Sequence, residues 1–225
     1  MCLARALGLA VALSVVRYFG DIPVIVLERY DRARVGGSLL RIHQEDMCQS
    51  MARMPQQKYQ NQGGPSAVEV MGLIRQNSSA RDTDVGRFLD ALIFNWFIAG
   101  TDAHAKNYSF LIAARGIVRL APLYDLSSAL PYPLQVNPRK ATLAMMIGDK
   151  YRLQQIGPRE WKKAAGELRV DEAALRDRLQ SLAAQIPEVA GQVAQDLKGQ
   201  GLAHGVIPRI VQALTDRCQT TADGV

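Results

Sequence analysis

The sequence predicts an α+β fold, mostly helical with short β-hairpins, and three observations carry that expectation. Val85, Phe88, Leu89, Leu92, Ile93, Trp96 and Phe97 recur at three-four spacing, the mark of a helix that buries one face. The runs 14–19 and 22–30 are rich in Val, Ile, Leu, Tyr and Phe and are parted by Gly20-Asp21, which reads as a hairpin. The C-terminal third then returns to helical periodicity with little interruption. A chain of 225 residues with 48% hydrophobic and 21% charged residues buries roughly 70% of its unfolded surface and holds a full core.

The net charge of +6 and a pI near 9.4 favour acidic partners such as nucleotides, nucleic acid or an acidic protein surface. No helix interleaves aromatics with a dense basic face, as a dedicated nucleic-acid reader would. Cys2, Cys48 and Cys218 are an odd count without a C-x-x-C pair, which argues against a disulfide framework and a zinc site and fits reduced thiols in a cytoplasm.

Arg5 and the apolar run 6–16 have the outline of a secretory signal, but the run is too short to span a membrane. It ends in Val15-Val16-Arg17-Tyr18, without a small-x-small cleavage site. The expectation is a helix that ends near Gly8, then the hairpin, whose second strand runs out through Glu28, Arg29, Tyr30 and Asp31. From pattern alone that end is a salt-bridged strand terminus. Residues 43–51 read as a helix whose first turn holds Gln44, Glu45 and Asp46, giving it negative charge that complements the helix dipole. His43 reads as structural, because no H-x-x-x-H pair or cysteine lies nearby. Residues 54–66, with two prolines and Gly63-Gly64, read as a loop. A helix over 67–76 and a polar connection over 77–83 lead to the striped helix, with Gly100 as its C′ stop.

Two strands over 108–114 and 116–120 follow, turning near Arg115-Gly116. The proline-rich stretch 131–138 is irregular. Helices are expected over 158–168, over 171–186 with Asp171 as N-cap and Leu175, Leu179, Leu182 and Ile186 on one face, over 188–198 and over 208–217. His204 lies in the last loop without partners, and 220–225 reads as frayed.

The chemistry concentrates in Thr101-Asp-Ala-His-Ala-Lys-Asn107, an acid, an imidazole, an ammonium and an amide in one short loop. Taken alone, the loop fits a structural salt bridge as readily as a site. Asp102 and Asn107 have the D-x-x-x-x-N spacing of a protein-kinase catalytic loop, and Asp125 follows as a later acid. Asp125 also suits a cap on the turn at Leu126-Ser127-Ser128.

Gly100-Thr-Asp-Ala-His-Ala-Lys-Asn107 and Leu120-Ala-Pro-Leu-Tyr-Asp125 closely resemble the catalytic and metal-binding motifs of the HipA family, serine/threonine kinase toxins of bacterial toxin-antitoxin modules. Val26-Leu-Glu-Arg-Tyr-Asp-Arg32, His43-Gln-Glu-Asp46, and Lys58-Tyr59 with Gly63-Gly64-Pro65 agree with it, in family order. The resemblance implies a protein-kinase-like C-terminal lobe with the N-terminal lobe largely absent. It divides the chain into a hinge-proximal helix and hairpin over 1–42 and a helical lobe over 43–225. It implies Asp102 as the base that takes a serine or threonine proton, Lys106 offsetting charge at the transferring phosphoryl group, and Asn107 and Asp125 as magnesium ligands. ATP would meet Glu28, Arg29, Tyr30, His104, Ala105, Lys106, Asn107, Tyr124 and Asp125, with main-chain groups of Glu28 and Tyr30 at the adenine edge.

The implied partners are a protein substrate such as a translation component, a HipB-like helix-turn-helix antitoxin, DNA only through that antitoxin, and a separate polypeptide carrying the N-terminal lobe. No membrane is implied. The family's phosphate loop and nucleotide-binding lysine are not found in these residues, since Gly36-Gly37 and Gly63-Gly64 lack the spacing and strand-to-helix context. A different class of reading therefore stands beside the kinase: an inactive lobe kept as a docking module. A metal-dependent phosphohydrolase using Asp102, His104 and Asp125 is a weaker third, because such sites recruit several histidines.

Overall fold

The computed structural model describes residues 1–137 and 139–222. Helix α1 (Cys2–Ala6) ends ahead of Gly8, whose φ of 80° is left-handed backbone that glycine adopts without a Cβ clash. The expected hairpin follows as β1 (Ser14–Phe19) and β2 (Ile22–Leu27), paired antiparallel from Ser14 opposite Leu27 to Phe19 opposite Ile22. Its second strand stops three residues earlier than expected. A second hairpin, β3 (Arg32–Val35) and β4 (Ser38–Arg41), was not anticipated. Its turn is Gly36-Gly37 with φ of 55° and 83°, two positive values that a two-residue hairpin turn needs.

Residues 43–46 correct the expected helix. They form β5 (His43–Asp46), paired antiparallel with β6 (Ser109–Ile112), which in turn pairs with β7 (Val118–Leu120). Pairing with a distant strand overrides the local helical signal. The acids still serve a helix: Asp46 is the N-cap of α2 (Met47–Ser50), accepting the Gln49 N–H at 2.9 Å while the Gln49 side chain accepts the Asp46 N–H at 2.9 Å. After an irregular stretch with one 3-10 turn at Gln60–Gln62, α3 (Ala67–Asn77) starts from a capping box between Ser66 and Glu69. Helix α4 (Arg81–Phe97) is the striped helix.

The stripe understates its burial. Val85 and Leu89 are half-buried, but every residue from Ala91 to Gly100 is buried, because α3, α6, α7 and β7 all pack on α4. Trp96 meets Trp161 edge-on with centroids 5.5 Å apart.

Strands β8 (Thr142–Ile147) and β9 (Lys150–Arg152) form a further unanticipated pair. Helix α5 (Pro158–Leu168) has the expected bounds. The two helices expected over 171–198 are one, α6 (Glu172–Gly199), which runs through Pro187. A proline inside a helix costs about 3 kcal/mol. Burial of Leu175, Leu179, Leu182 and Ile186 before it and Ala190 after it offsets that cost. Helix α7 (Val206–Ala222) lies along α6. His204 is exposed but has a partner, since its Nδ1 accepts the Val206 N–H at 3.1 Å at the start of α7. Of the stretch expected to fray, Thr220 to Ala222 is helical and the rest lies outside the described residues, as does Pro138 of the proline-rich stretch. All three cysteines are free. Among the described residues no helix is long and apolar enough to cross a membrane.

Candidate active site

The loop after α4 is held from behind by main-chain and side-chain bonds. Its helix is capped at Ile98, and Ala99 rather than Gly100 takes the left-handed conformation, with φ of 50°. Gly100 is required for another reason: a Cβ there would lie 2.4 Å from Asn95 Oδ1. The Gly100 N–H donates to the Asn95 carbonyl at 2.7 Å. Asn95 Nδ2 donates to the Ala91 carbonyl and to Tyr108 Oη, fixing both ends of the loop to the helix.

Strand β7 is locked to the start of α4 by a fully buried acid. Asp84 accepts hydrogen bonds from Ser78, Arg87, Arg119 and the Leu120 N–H, and these donors hold its carboxyl below the ordinary carboxylate range against its burial. Arg87 also donates to the Leu120 and Ala121 carbonyls at 2.7 and 3.0 Å. The chain leaving β7 is gripped on its other side by residues 10–12. The Leu123 N–H donates to Ala10, and the Ala12 N–H donates to Leu123. Asp125 therefore starts from a fixed point, and its φ of 54° is left-handed backbone for a residue with a Cβ, a strain that functional sites often hold.

Asn107 Nδ2 donates to the Asp102 carbonyl at 2.9 Å. Tyr124 Oη donates to the Lys106 carbonyl at 2.7 Å and accepts from Ser109 Oγ at 2.5 Å, and Ser109 accepts from Gln44 Nε2 at 3.0 Å. One chain of bonds thus runs from β5 through β6 to the residue beside Asp125 and back to the loop. Burial pushes the Tyr124 phenol up, so it stays a donor. The Tyr30 ring stacks on Tyr124 at 6.2 Å and brings the end of the first hairpin to the same place.

The structure gathers Asp102, His104, Ala105, Lys106, Asn107, Tyr124 and Tyr30 by direct bonds or ring contact. Asp125 lies near enough to His104 to influence its charge. Glu28 and Arg29 bond elsewhere. The Glu28 N–H donates to Leu13 at 2.9 Å, so a main-chain role for Glu28 narrows to its carbonyl. Arg29 is paired with buried Asp31, whose carboxyl drops to about 2 under the Arg29 and Arg32 guanidinium groups. Lys106 Nζ donates to Asp46 Oδ2 at 3.1 Å, so its ammonium is already partly balanced. Asp46, Gln44 and Tyr59 sit at this site without any spacing signal of their own; only the β5–β6 pairing and the fold of the 54–66 loop bring them in.

His104 is 5% exposed. Its Nδ1 is buried with no hydrogen-bond partner among the described residues. Burial pulls its pKa below the ordinary value despite Asp102 and Asp125, and the ring is neutral at pH 7.

The donor set suits a hard cation shared with phosphates. With its NH2 turned to the Asp102 carbonyl, Asn107 keeps Oδ1 for another partner, and the exposed Asp125 carboxylate accepts no hydrogen bond from the described residues. One amide oxygen and one carboxylate match magnesium, which completes its shell with water and phosphate rather than an all-protein cage. Among the described residues there is no cluster of three or more His, Cys, Asp or Glu that could hold a metal ion.

Comparison with known proteins gives a consistent answer. The family model described as HipA-like C-terminal domain matches residues 1–190. Y4mE of Sinorhizobium fredii, which bears the name of a kinase, is 39% identical over 197 residues, 87% of this chain and 46% of that protein. The serine/threonine-protein kinase toxin HipA of Shewanella oneidensis is 28% identical over 205 residues, 86% of this chain and 46% of that protein. Among solved structures, HipA of Shewanella oneidensis in complex with HipB and operator DNA shares the fold, with a TM-score of 0.87 and 24% identity over 100% of this chain and 55% of that one. The proinflammatory kinase CtkA of Helicobacter pylori matches at a TM-score of 0.57 and 13% identity, over 98% of this chain and 80% of that one. The chain spans about half the length of the curated relatives it matches first. With the motif loop, the gripped strand end and the kinase-like C-terminal lobe all in place, the chain belongs to the family of HipA-like C-terminal domains.

Proposed function

We propose that this chain is the catalytic half of a serine/threonine protein kinase, the toxin of a type II toxin-antitoxin module, which moves the γ-phosphoryl group of ATP to a protein hydroxyl in the cytoplasm. The observation that carries the reading is the bonded chain Asp102–Asn107 and Lys106–Tyr124, which ties the D-x-x-x-x-N loop to the residue before Asp125. Asp102 accepts the proton of the attacking serine or threonine oxygen as that oxygen bonds to phosphorus and the bond to ADP breaks. Asn107 Oδ1 and the Asp125 carboxylate would hold magnesium, which would supply positive charge against the phosphates. Lys106, released from Asp46, adds positive charge at the transferring group. Tyr30, Tyr124, His104 and Ala105 line the nucleotide side, with Arg29 and the Glu28 carbonyl at its edge.

The phosphate loop and lysine come from a further polypeptide segment, which docks on the two hairpins. Phe19, Ile22 and Ile25 of β1–β2 are 67%, 67% and 69% exposed, and a two-stranded hairpin without a covered face is marginal in water. A HipB-like antitoxin is a further partner, on the strength of the HipB and DNA complex formed by the structural relative, and contact with DNA then runs through the antitoxin.

Isothermal titration with magnesium-ATP tests the reading, with this chain alone and with the half of a longer relative that it does not span. The expected result is weak, magnesium-dependent binding alone, tighter binding with the added half, and a loss on the order of tenfold, about 1.4 kcal/mol, in Asp125→Asn. No binding in either mixture would leave the docking module as the better reading.

A further inference from the structure

The phenol of Tyr59 donates a hydrogen bond to Oδ1 of Asp102. A carboxylate whose side chain is 51% exposed has water at hand and needs no protein donor for solvation. The loop that delivers the phenol is nonetheless pinned on three sides. The Lys58 carbonyl accepts the Ala105 N–H at 3.2 Å, the Tyr59 carbonyl accepts the Gln62 and Gly64 N–H groups at 2.9 Å each, and Gln60 Oε1 accepts the Met146 N–H of β8 at 2.8 Å. Gly64 lets the chain double back this tightly, since a Cβ there would lie 2.4 Å from the Gln57 carbonyl oxygen and 2.7 Å from that of Tyr59.

The ring itself is seated between two side chains. It meets His104 edge-on at 5.2 Å, and the Lys58 ammonium lies 5.0 Å from its centroid. His104 Nε2 is 3.8 Å from the same Asp102 Oδ1, too far for a hydrogen bond. The Tyr59 phenol and His104 therefore both lie on the Oδ1 side, and among the described residues no donor reaches Oδ2.

We infer that Tyr59 is a positioning residue, whose hydroxyl ties down Oδ1 of Asp102 so that Oδ2 is the oxygen presented to the acceptor hydroxyl. The inference rests on Asp102 being the base. A carboxylate at the surface of a loop is otherwise free to turn either oxygen toward an incoming alcohol. A proton acceptor contributes on the order of 10²–10⁴-fold to rate only when held within hydrogen-bond reach, and a displacement of about 1 Å costs on the order of 10². The phenol keeps its proton for this task, because the Asp102 carboxylate pushes it up to about 12.

Tyr59→Phe keeps the ring against His104 and removes only the donor. With the completing half present, transfer from radiolabelled ATP to a degenerate serine/threonine peptide pool should fall roughly tenfold to a hundredfold in kcat, with KM for magnesium-ATP and the melting temperature unchanged. A merely structural tyrosine would move stability and KM instead. Asp102→Asn serves as the control for the base itself: activity retained there overturns Asp102 as the base and the positioning role with it, no transfer by the unsubstituted pair overturns the kinase reading, and activity lost in Asp102→Asn but kept in Tyr59→Phe overturns only the positioning role.

A second readout needs no turnover. In protein carrying 13C at tyrosine Cζ, a slowly exchanging hydroxyl proton should be visible by NMR, absent from Tyr59→Phe and lost or shifted in Asp102→Asn. A spectrum unchanged in Asp102→Asn overturns the inference whatever the activity.

Discussion

Between Ala91 and Gly100 every residue is buried, while an earlier stretch does the opposite: among the described residues, twelve of the seventeen exposed large apolar side chains fall between Leu13 and Leu40. Both regions are rich in large aliphatic and aromatic residues, so hydrophobic composition does not separate them. Neighbours do. Helix α4 has four elements packed on it, and its apolar side chains supply the stability that holds the loop at 101–107. The two hairpins pair only within themselves and stop short of a third strand or a covering helix, which a sheet of this size needs. One region is packed on several sides and the other leaves apolar side chains exposed.

The largest effect that sharpens the comparison lies in the packed region. Phe88 is fully buried and meets Tyr108 edge-on at 5.1 Å, and Tyr108 is the residue that closes the loop through Asn95. Phe88→Ala should destabilise the chain by about 3–5 kcal/mol, the cost of lost transfer energy plus a cavity. Denaturant unfolding measures it, and a loss below about 1 kcal/mol would mean that α4 is not the rigid support of the site.

A smaller effect in the same region depends on pH. Burial sets the folded pKa of His104 below its ordinary value of 6.5. As pH falls through that value the unfolded ring takes a proton and the folded ring resists, so the unfolded state binds more protons and stability declines. The contribution is complete above about pH 6.5 and is lost below it. Asp31 and Glu69, whose carboxyls are lowered from 3.8 and 4.5, act further into acid. The Met1 amine, lowered from 8.0 by burial, starts higher. Subtracting a variant therefore isolates the imidazole: melting temperature should drop less between about pH 7 and 5.5 in His104→Gln than in the parent chain. Equal slopes would mean that the ring takes up its proton in the fold as readily as outside it.

The same contrast explains what the sequence let us read. Helices α4 and α5 and the β6–β7 hairpin follow from periodicity and turn residues within one window. Strand β5 does not, because His43–Asp46 pairs with residues 63 to 69 positions away, and its Gln-Glu-Asp composition carries a helical signal. Strand β8, Thr-Leu-Ala-Met-Met-Ile, shows neither alternation nor β-branched enrichment. The two helices expected over 171–198 are one through Pro187, where packing along α7 sustains it. Within the candidate site, the spacing of Asp102 and Asn107 was legible because both belong to one loop. Tyr59 and Asp46 stood only inside blocks that resemble the family, with no spacing to assign them a contact, since each reaches the loop from 43 and 60 residues away in sequence.

The smallest expected effect is the most telling for the exposed region. Ile25 lies opposite Val16 in the first hairpin and is 69% exposed. Replacing it with lysine removes no buried contact, so the chain on its own should change by no more than about 0.5 kcal/mol. If the hairpins are a seat for the segment that carries the phosphate loop, the same substitution places an ammonium in what becomes a dry interface, where an unpaired charge is costly. Ile25→Lys should therefore leave the melting temperature of the isolated chain in place and weaken its association with the completing half, measured by the same calorimetry that follows ATP. A large loss of stability in the isolated chain would show that the hairpin already has a cover, and undisturbed association would place the seat elsewhere.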